Sequence, residues 1–161
     1  MGIIEKTFGD RIRVRVCGLC YDKNSILLVK HTMNDRPFYA PPGGAVEFGE
    51  SLLETLKREF KEEVCLEIEP GKLLFTTEYI RPPLHAIELF FSLESWQGIP
   101  EKGADPEIDS FDLIEEVAFY SPSDIKQIPL EQLHHVFHNC NNPRDLLGLS
   151  GYVQPPSHIN K

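Results

Sequence analysis

Alternation of apolar and polar positions is clearest near the start of the chain. In RIRVRVCGLC (residues 11–20), Ile12, Val14 and Val16 occupy every second position, with Arg11, Arg13 and Arg15 on the other face. A period of two describes a half-buried strand whose arginines face solvent or, less favoured, a phosphate. Asp22-Lys23-Asn24 has turn chemistry, and Ser25–Lys30 (SILLVK) reads as the strand returning from a hairpin. Residues 31–50 hold His31, Asn34-Asp35, Pro37, Pro41-Pro42 and Gly43-Gly44, which predicts a loop interrupted by an apolar patch at Phe38–Ala40. From Glu50 or Ser51 the pattern becomes helical and runs to about Val64. Pro70-Gly71 predicts a turn; Lys72–Arg81 and His85–Trp96 predict two strands separated by Pro82-Pro83. An acidic loop over 97–112 leads to a strand at Glu116–Tyr120. Pro129 then opens a last helix over roughly Leu130–Cys140, with Leu133, Val136 and Phe137 inward and His134, His135 and His138 on its surface. The tail after Asn141 is weakly patterned. With no repeat and no linker, the chain reads as a single domain over 1–161 of the α/β class, layered around a mixed sheet.

The helix breaks its own pattern. At about 100° per residue, Leu52, Leu53, Leu56, Phe60 and Val64 fall on one core-facing stripe. Glu54, Lys57, Arg58 and Lys61 lie largely opposite. Glu59, Glu62 and Glu63 do neither: they crowd the edge of the apolar stripe, spaced i, i+3 and i+4, so their carboxylates are neighbours. They also sit near the helix C-terminus, where the macrodipole disfavours negative charge. Conflicts of this kind mark functional sites. A hard divalent cation, magnesium or manganese, resolves them because it takes oxygen ligands and cancels the repulsion. The rival reading is a surface helix laced with Glu–Lys pairs through Lys57 and Lys61. Upstream residues favour the metal. Gly43-Gly44 permits close approach of backbone to a ligand, Glu50 can cap the helix entrance, and Arg58 can orient a carboxylate by forked hydrogen bonds.

The net charge is −9 and the pI near 5.1, which argues against a general nucleic-acid or anionic-membrane binder but leaves room for a phosphate substrate carried by cations. No apolar run approaches the roughly 20 residues of a membrane span. The N-terminus lacks the pattern of an export signal, so a cytoplasmic protein with four reduced cysteines is expected. Cys17-x2-Cys20 and His134-x3-His138 mimic zinc spacing, but strand positions three apart face opposite sides, which disfavours zinc.

Gly44, Glu50, Arg58-Glu59-Phe60-Lys61-Glu62-Glu63, Val64 and Leu66 resemble the Nudix box, G-x5-E-x7-R-E-U-x-E-E-x-G-U, where U is bulky and apolar. One fixed position departs: Cys65 replaces the last glycine. The resemblance implies an α-β-α sandwich with a mixed β-sheet and a catalytic loop–helix–loop. It implies hydrolysis of a nucleoside diphosphate linked to another moiety, with Mg2+ (or Mn2+) as cofactor. By position, Glu59, Glu62 and Glu63 become metal ligands, Glu50 and Arg58 orient them, and Glu50 or Glu59 is the candidate base. A further acid from a later loop is expected at Glu115, with Asp112 and Glu107 as rivals. Gly43 and Gly44 would line the substrate. Pro82, sixteen residues past Leu66, matches a proline common in ADP-ribose-cleaving members. Tyr79, Phe75 or Trp96 are candidates to stack on a base. The favoured substrates are ADP-ribose or nucleotide sugars; the alternatives are a sanitising nucleoside triphosphate pyrophosphatase and a non-catalytic nucleotide-binding regulator. A small-molecule nucleotide is the expected partner, without nucleic acid or membrane, and a homodimer is a family expectation. Cys65 is expected to alter the turn locally without loss of metal ligands.

Overall fold

A computed structural model describes Lys6 and residues 9–33, 35–103 and 112–157. Glu107 lies outside them. Among the described residues, five strands form a mixed sheet in the order β5 (Gly43–Ala45), β1 (Arg13–Leu19), β7 (Leu84–Gln97), β6 (Glu67–Arg81) and β9 (Gly151–Tyr152). The β1/β7 and β6/β9 pairs are parallel; β1/β5 and β6/β7 are antiparallel. A second, antiparallel sheet centres on β3 (Ser25–Met33), which pairs with β2 (Tyr21–Asp22), β4 (Arg36–Ala40) and β8 (Asp112–Tyr120). The helix α1 (Leu52–Val64) covers one face, burying Leu56, Phe60 and Val64 with Val16, Leu27, Val29 and Phe91. On the other face, Cys17, Ile26, Leu28, Phe75 and Phe90 pack under the C-terminal segment. This is a mixed α/β architecture with sheets between outer layers. No helix among the described residues is long and apolar enough to cross a membrane.

Several sequence expectations need correction. A hairpin forms at Lys23-Asn24, but its arms are β2 and β3, both in the second sheet; β1, expected as the arm facing β3, lies between β5 and β7 in the large sheet. Strands occupy much of the expected 31–50 loop, because β3 continues to Met33 and β4 returns across it. Pro70-Gly71 is no turn. It is an irregularity inside β6, where proline has no N–H for the ladder and the register to β7 shifts. The expected last helix is a chain of 3₁₀ turns at Leu130–Gln132, His135–Phe137 and Pro143–Gly148. Short α2 (Pro122–Lys126) precedes them.

Face assignments also change. On β1, Ile12 and Val14 are exposed while Arg13 and Arg15 are partly buried, because the arginine face turns toward the C-terminal layer. Leu53 is exposed on α1; Thr55 and Glu63 take buried places beside the leucines. His134 and His135 are buried rather than superficial. The Nε2 of His134 lies 2.7 Å from Glu88 Oε1, and that of His135 lies 3.1 Å from the Thr77 hydroxyl. Leu133, Val136 and Phe137 do serve the core. Cys17 and Cys20 belong to opposite core faces, as strand alternation requires.

The Glu88–His134 pair yields a pH prediction. Burial alone would raise the Glu88 carboxyl, but His134 overcomes it and holds the acid down at about 2, below its ordinary 4.5. A depressed folded pKa contributes stability above the unfolded value, lost as pH falls from 4.5 through about 2. Glu88→Gln is therefore expected to be less stable than wild type at pH 7, with the gap shrinking toward pH 3 in urea melts. A gap constant with pH would refute the ion pair.

Candidate active site

Alpha helix α1 is started sharply. Ser51 caps it, its hydroxyl accepting from Glu54 N at 3.1 Å while the Glu54 carboxylate accepts from Ser51 N at 2.8 Å. This places Glu50 immediately before the first turn and Arg58 two turns later on the same side. The Arg58 guanidinium forks onto Glu50, Nε to Oε2 at 2.7 Å and Nη2 to Oε1 at 2.9 Å. Its Nη1 reaches Glu59 Oε1 at 2.9 Å and Glu62 Oε2 at 3.2 Å. Nη2 also donates to the Ala45 carbonyl at 3.3 Å, tying the helix to β5. One cation thus collects three carboxylates. Lys57 and Lys61 do not share in this; they pair weakly at the surface with Glu69 and Glu67 on β6. The Glu–Lys-laced helix is therefore not what forms.

The glycine pair explains the close approach of strand and helix. A Cβ on Gly44 would collide with the Glu59 carboxylate, and one on Gly43 with the Val16 carbonyl oxygen. The Gly43 N–H faces Glu63 Oε1 at 3.4 Å. Glu63 is buried, and burial pushes its carboxyl up to about 8. Burial likewise raises Glu59 to about 7, although Arg58 opposes it. Glu50 moves the other way: the Arg58 hydrogen bonds hold it down at about 2. Its oxygens also accept from Glu47 N at 3.1 Å and the Thr55 hydroxyl at 3.0 Å.

Past the helix, Cys65 sits at φ 60° and ψ 29°, the left-handed conformation a motif glycine would adopt, and its N–H bonds back to Phe60 O. The expected local change in the turn is absent. Glu101 N and Gly103 N donate to the Val64 and Glu63 carbonyls, both at 3.1 Å, and close the helix end. A β-carbon in this conformation costs about 1 kcal/mol, partly offset by the larger unfolded-state entropy of glycine. Cys65→Gly is expected to stabilise the protein by about 0.5 kcal/mol in urea titration, leaving metal affinity unchanged. Loss of stability would contradict that strain.

The other expected residues lie on elements outside the box. Glu115 falls at the register shift between β3 and β8; Lys30 Nζ approaches its carboxylate at 3.2 Å and the Thr32 hydroxyl bonds to it. Asp112 begins β8. Pro82 is exposed, with Pro83 forming the tip of the β6–β7 hairpin across a cis peptide. Tyr79 stacks near His135, Phe75 is buried on Phe90, and Trp96 donates to the Tyr21 carbonyl. Sequence reasoning missed Glu88 and His134. The strand pattern around Glu88 has apolar residues on both faces, so alternation carried no signal for a buried acid.

Among the described residues, no group of three His, Cys, Asp or Glu is already placed to hold a metal ion. The donor set nevertheless fits a hard cation. All its groups are carboxylates, and buried Glu63 and partly buried Glu59 hold their charge only against a desolvation penalty that a divalent ion would offset.

The NUDIX domain model matches residues 10–138. A protein of Methanocaldococcus jannaschii described as an ADP-ribose pyrophosphatase is 38% identical over 106 residues, 62% of either chain. Phosphatase NudJ of Escherichia coli K12 is 27% identical over 97 residues, covering 60% of this chain and 63% of its own. The match thus spans less than two thirds of the length of these relatives. The crystal structure of a MutT NUDIX hydrolase from Burkholderia pseudomallei superposes with a TM-score of 0.64 at 20% identity, over 86% of this chain and 98% of that one. It shares the fold.

Proposed function

Since this chain belongs to the Nudix family, we propose that it is a divalent-metal-dependent hydrolase cleaving the pyrophosphate bond of a nucleoside diphosphate linked to another moiety. The observation that carries the reading is the fan of Glu50, Glu59 and Glu62 on Arg58, with Glu63 buried beside the Gly43 N–H. So costly a set of clustered acids favours catalysis over nucleotide binding alone. ADP-ribose or a nucleotide sugar is the favoured substrate, supported by the similarity to the Methanocaldococcus jannaschii protein. Release of pyrophosphate from a nucleoside triphosphate is the second reading.

Glu59, Glu62 and Glu63 would hold Mg2+ or Mn2+, which supplies charge neutralisation for the diphosphate and acidifies water. Arg58 sets the spread of the carboxylates and keeps them from turning outward. Glu50 accepts four hydrogen bonds, from Arg58 twice, from Glu47 N and from Thr55. Those bonds tie down both its oxygens and keep it ionised well below neutrality, so Glu50 orients Arg58 and Glu59 is the better candidate to take a proton from the attacking water. Glu115 is kept as a candidate further ligand, presented from the β8 edge.

Phosphate release from ADP-ribose, nucleotide sugars and nucleoside triphosphates, with magnesium or manganese and a coupled phosphatase, tests the proposal. Turnover yielding a nucleoside monophosphate and a phosphorylated second product is expected. Pyrophosphate as product would favour the second reading. No turnover alongside tight nucleotide binding would leave the chain a regulator.

A further inference from the structure

The large sheet carries a polar row that the box does not use. Ala45 on β5, Arg15 on β1, Glu88 on β7 and Thr77 on β6 are register partners in succession, so Arg15, Glu88 and Thr77 share the face opposite α1. Arg15 is one strand from Ala45, whose carbonyl accepts from Arg58, and one strand from Glu88, which His134 engages at 2.7 Å. Between Arg15 and the box stands β5, whose sequence is Gly-Gly-Ala. It has no side chain larger than a methyl group. The helix carboxylates and Arg15 thus lie on opposite faces of the same thin sheet margin, with Ala45 between Arg58 and Arg15.

We propose that Arg15 is a substrate-binding residue that holds an anionic phosphate oxygen of the diphosphate at this edge. The inference rests on the reading of the site as one for phosphoric anhydrides. Charge supports it: Arg15 favours the ionised forms of Glu59 and Glu63 on one side and of Glu88 on the other, so its field reaches both clusters. Once cations neutralise the box carboxylates, that field acts on the anion they bring in. A planar guanidinium suits phosphate oxygens through forked hydrogen bonds. Glu88 is a positioning residue here. Buried and held by His134, it stands in register with Arg15 and keeps a fixed negative charge on the same face.

The test uses binding rather than turnover. The α,β-methylene analogue of ADP and adenosine are titrated, in excess magnesium, into wild type, Arg15→Gln and Arg15→Lys. Arg15→Gln is expected to weaken the analogue about 30-fold and to leave adenosine unchanged, while Arg15→Lys stays within about fivefold of wild type. Equal weakening of both ligands, or none, would overturn the proposal; the first would show Arg15 to be only a structural counter-charge. Wild-type protein binding neither ligand would instead overturn the reading of the site itself, and the inference with it.

Discussion

Replacing Arg58 by methionine is expected to destabilise the metal-free protein by about 3 kcal/mol and to abolish turnover, the first effect being partly reversed by magnesium. Arg58 is 24% exposed and meets Glu50, Glu59 and Glu62 within 3.2 Å, with Glu47 at 3.9 Å. Methionine keeps much of the packing and removes the charge. The remaining carboxylates would repel one another at a half-buried site, where water screens them poorly. Lysine would not substitute well, because a point charge cannot fork onto Glu50 while also reaching Glu59 and Glu62. Urea melts with and without magnesium read the result. An Arg58→Met protein as stable as wild type in EDTA would show that the fan contributes nothing to the fold.

Glu62→Gln and Glu63→Gln are both expected to lower turnover on the order of 10²–10³-fold, as the loss of one charge-stabilising group does. Their effects on the metal-free protein should separate. Glu62 is 34% exposed and shares Arg58, so its replacement changes stability little. Glu63 is buried, and burial raises its folded pKa to about 8 from an ordinary 4.5. A raised pKa stabilises the fold below the unfolded value, and that contribution is lost as pH rises through about 8. Glutamine does not ionise. Metal-free Glu63→Gln should therefore match wild type near pH 5 and exceed its melting temperature by about 5 °C near pH 9. Magnesium should abolish the advantage by stabilising wild type alone. Parallel melting curves across that range would show that Glu63 carries no buried charge.

Much of the site was legible before the fold. Glu59, Glu62 and Glu63 broke the helical pattern by position, and Gly43-Gly44 marked close backbone contact. The structure gathers Glu59 and Glu62 on Arg58 and buries Glu63 beside the Gly43 N–H, while the close neighbour of Gly44 is the Glu59 carboxylate. Cys65 was legible as a departure, yet its conformation was not. Helix-end hydrogen bonds and the strand of chain at 101–103 hold it in the geometry glycine would take. The last helix failed for an opposite reason. Apolar spacing at Leu133, Val136 and Phe137 fits a helix, but the same residues are reached by short 3₁₀ turns.

By itself, the sequence determined the start of α1, the local clustering of its acids and the alternating strands. These follow from contacts three or four residues apart, or from the two-residue pleat. Tertiary structure alone decided which face of β1 is covered, that β1 and β3 belong to different sheets, and that Glu88 meets His134 across 46 positions. Local pattern cannot encode such pairings, because an arginine and a valine alternate identically whichever side the next layer covers. The partner layer is chosen only when distant segments pack, and that choice sets Arg15 on the face opposite α1, in register with Glu88.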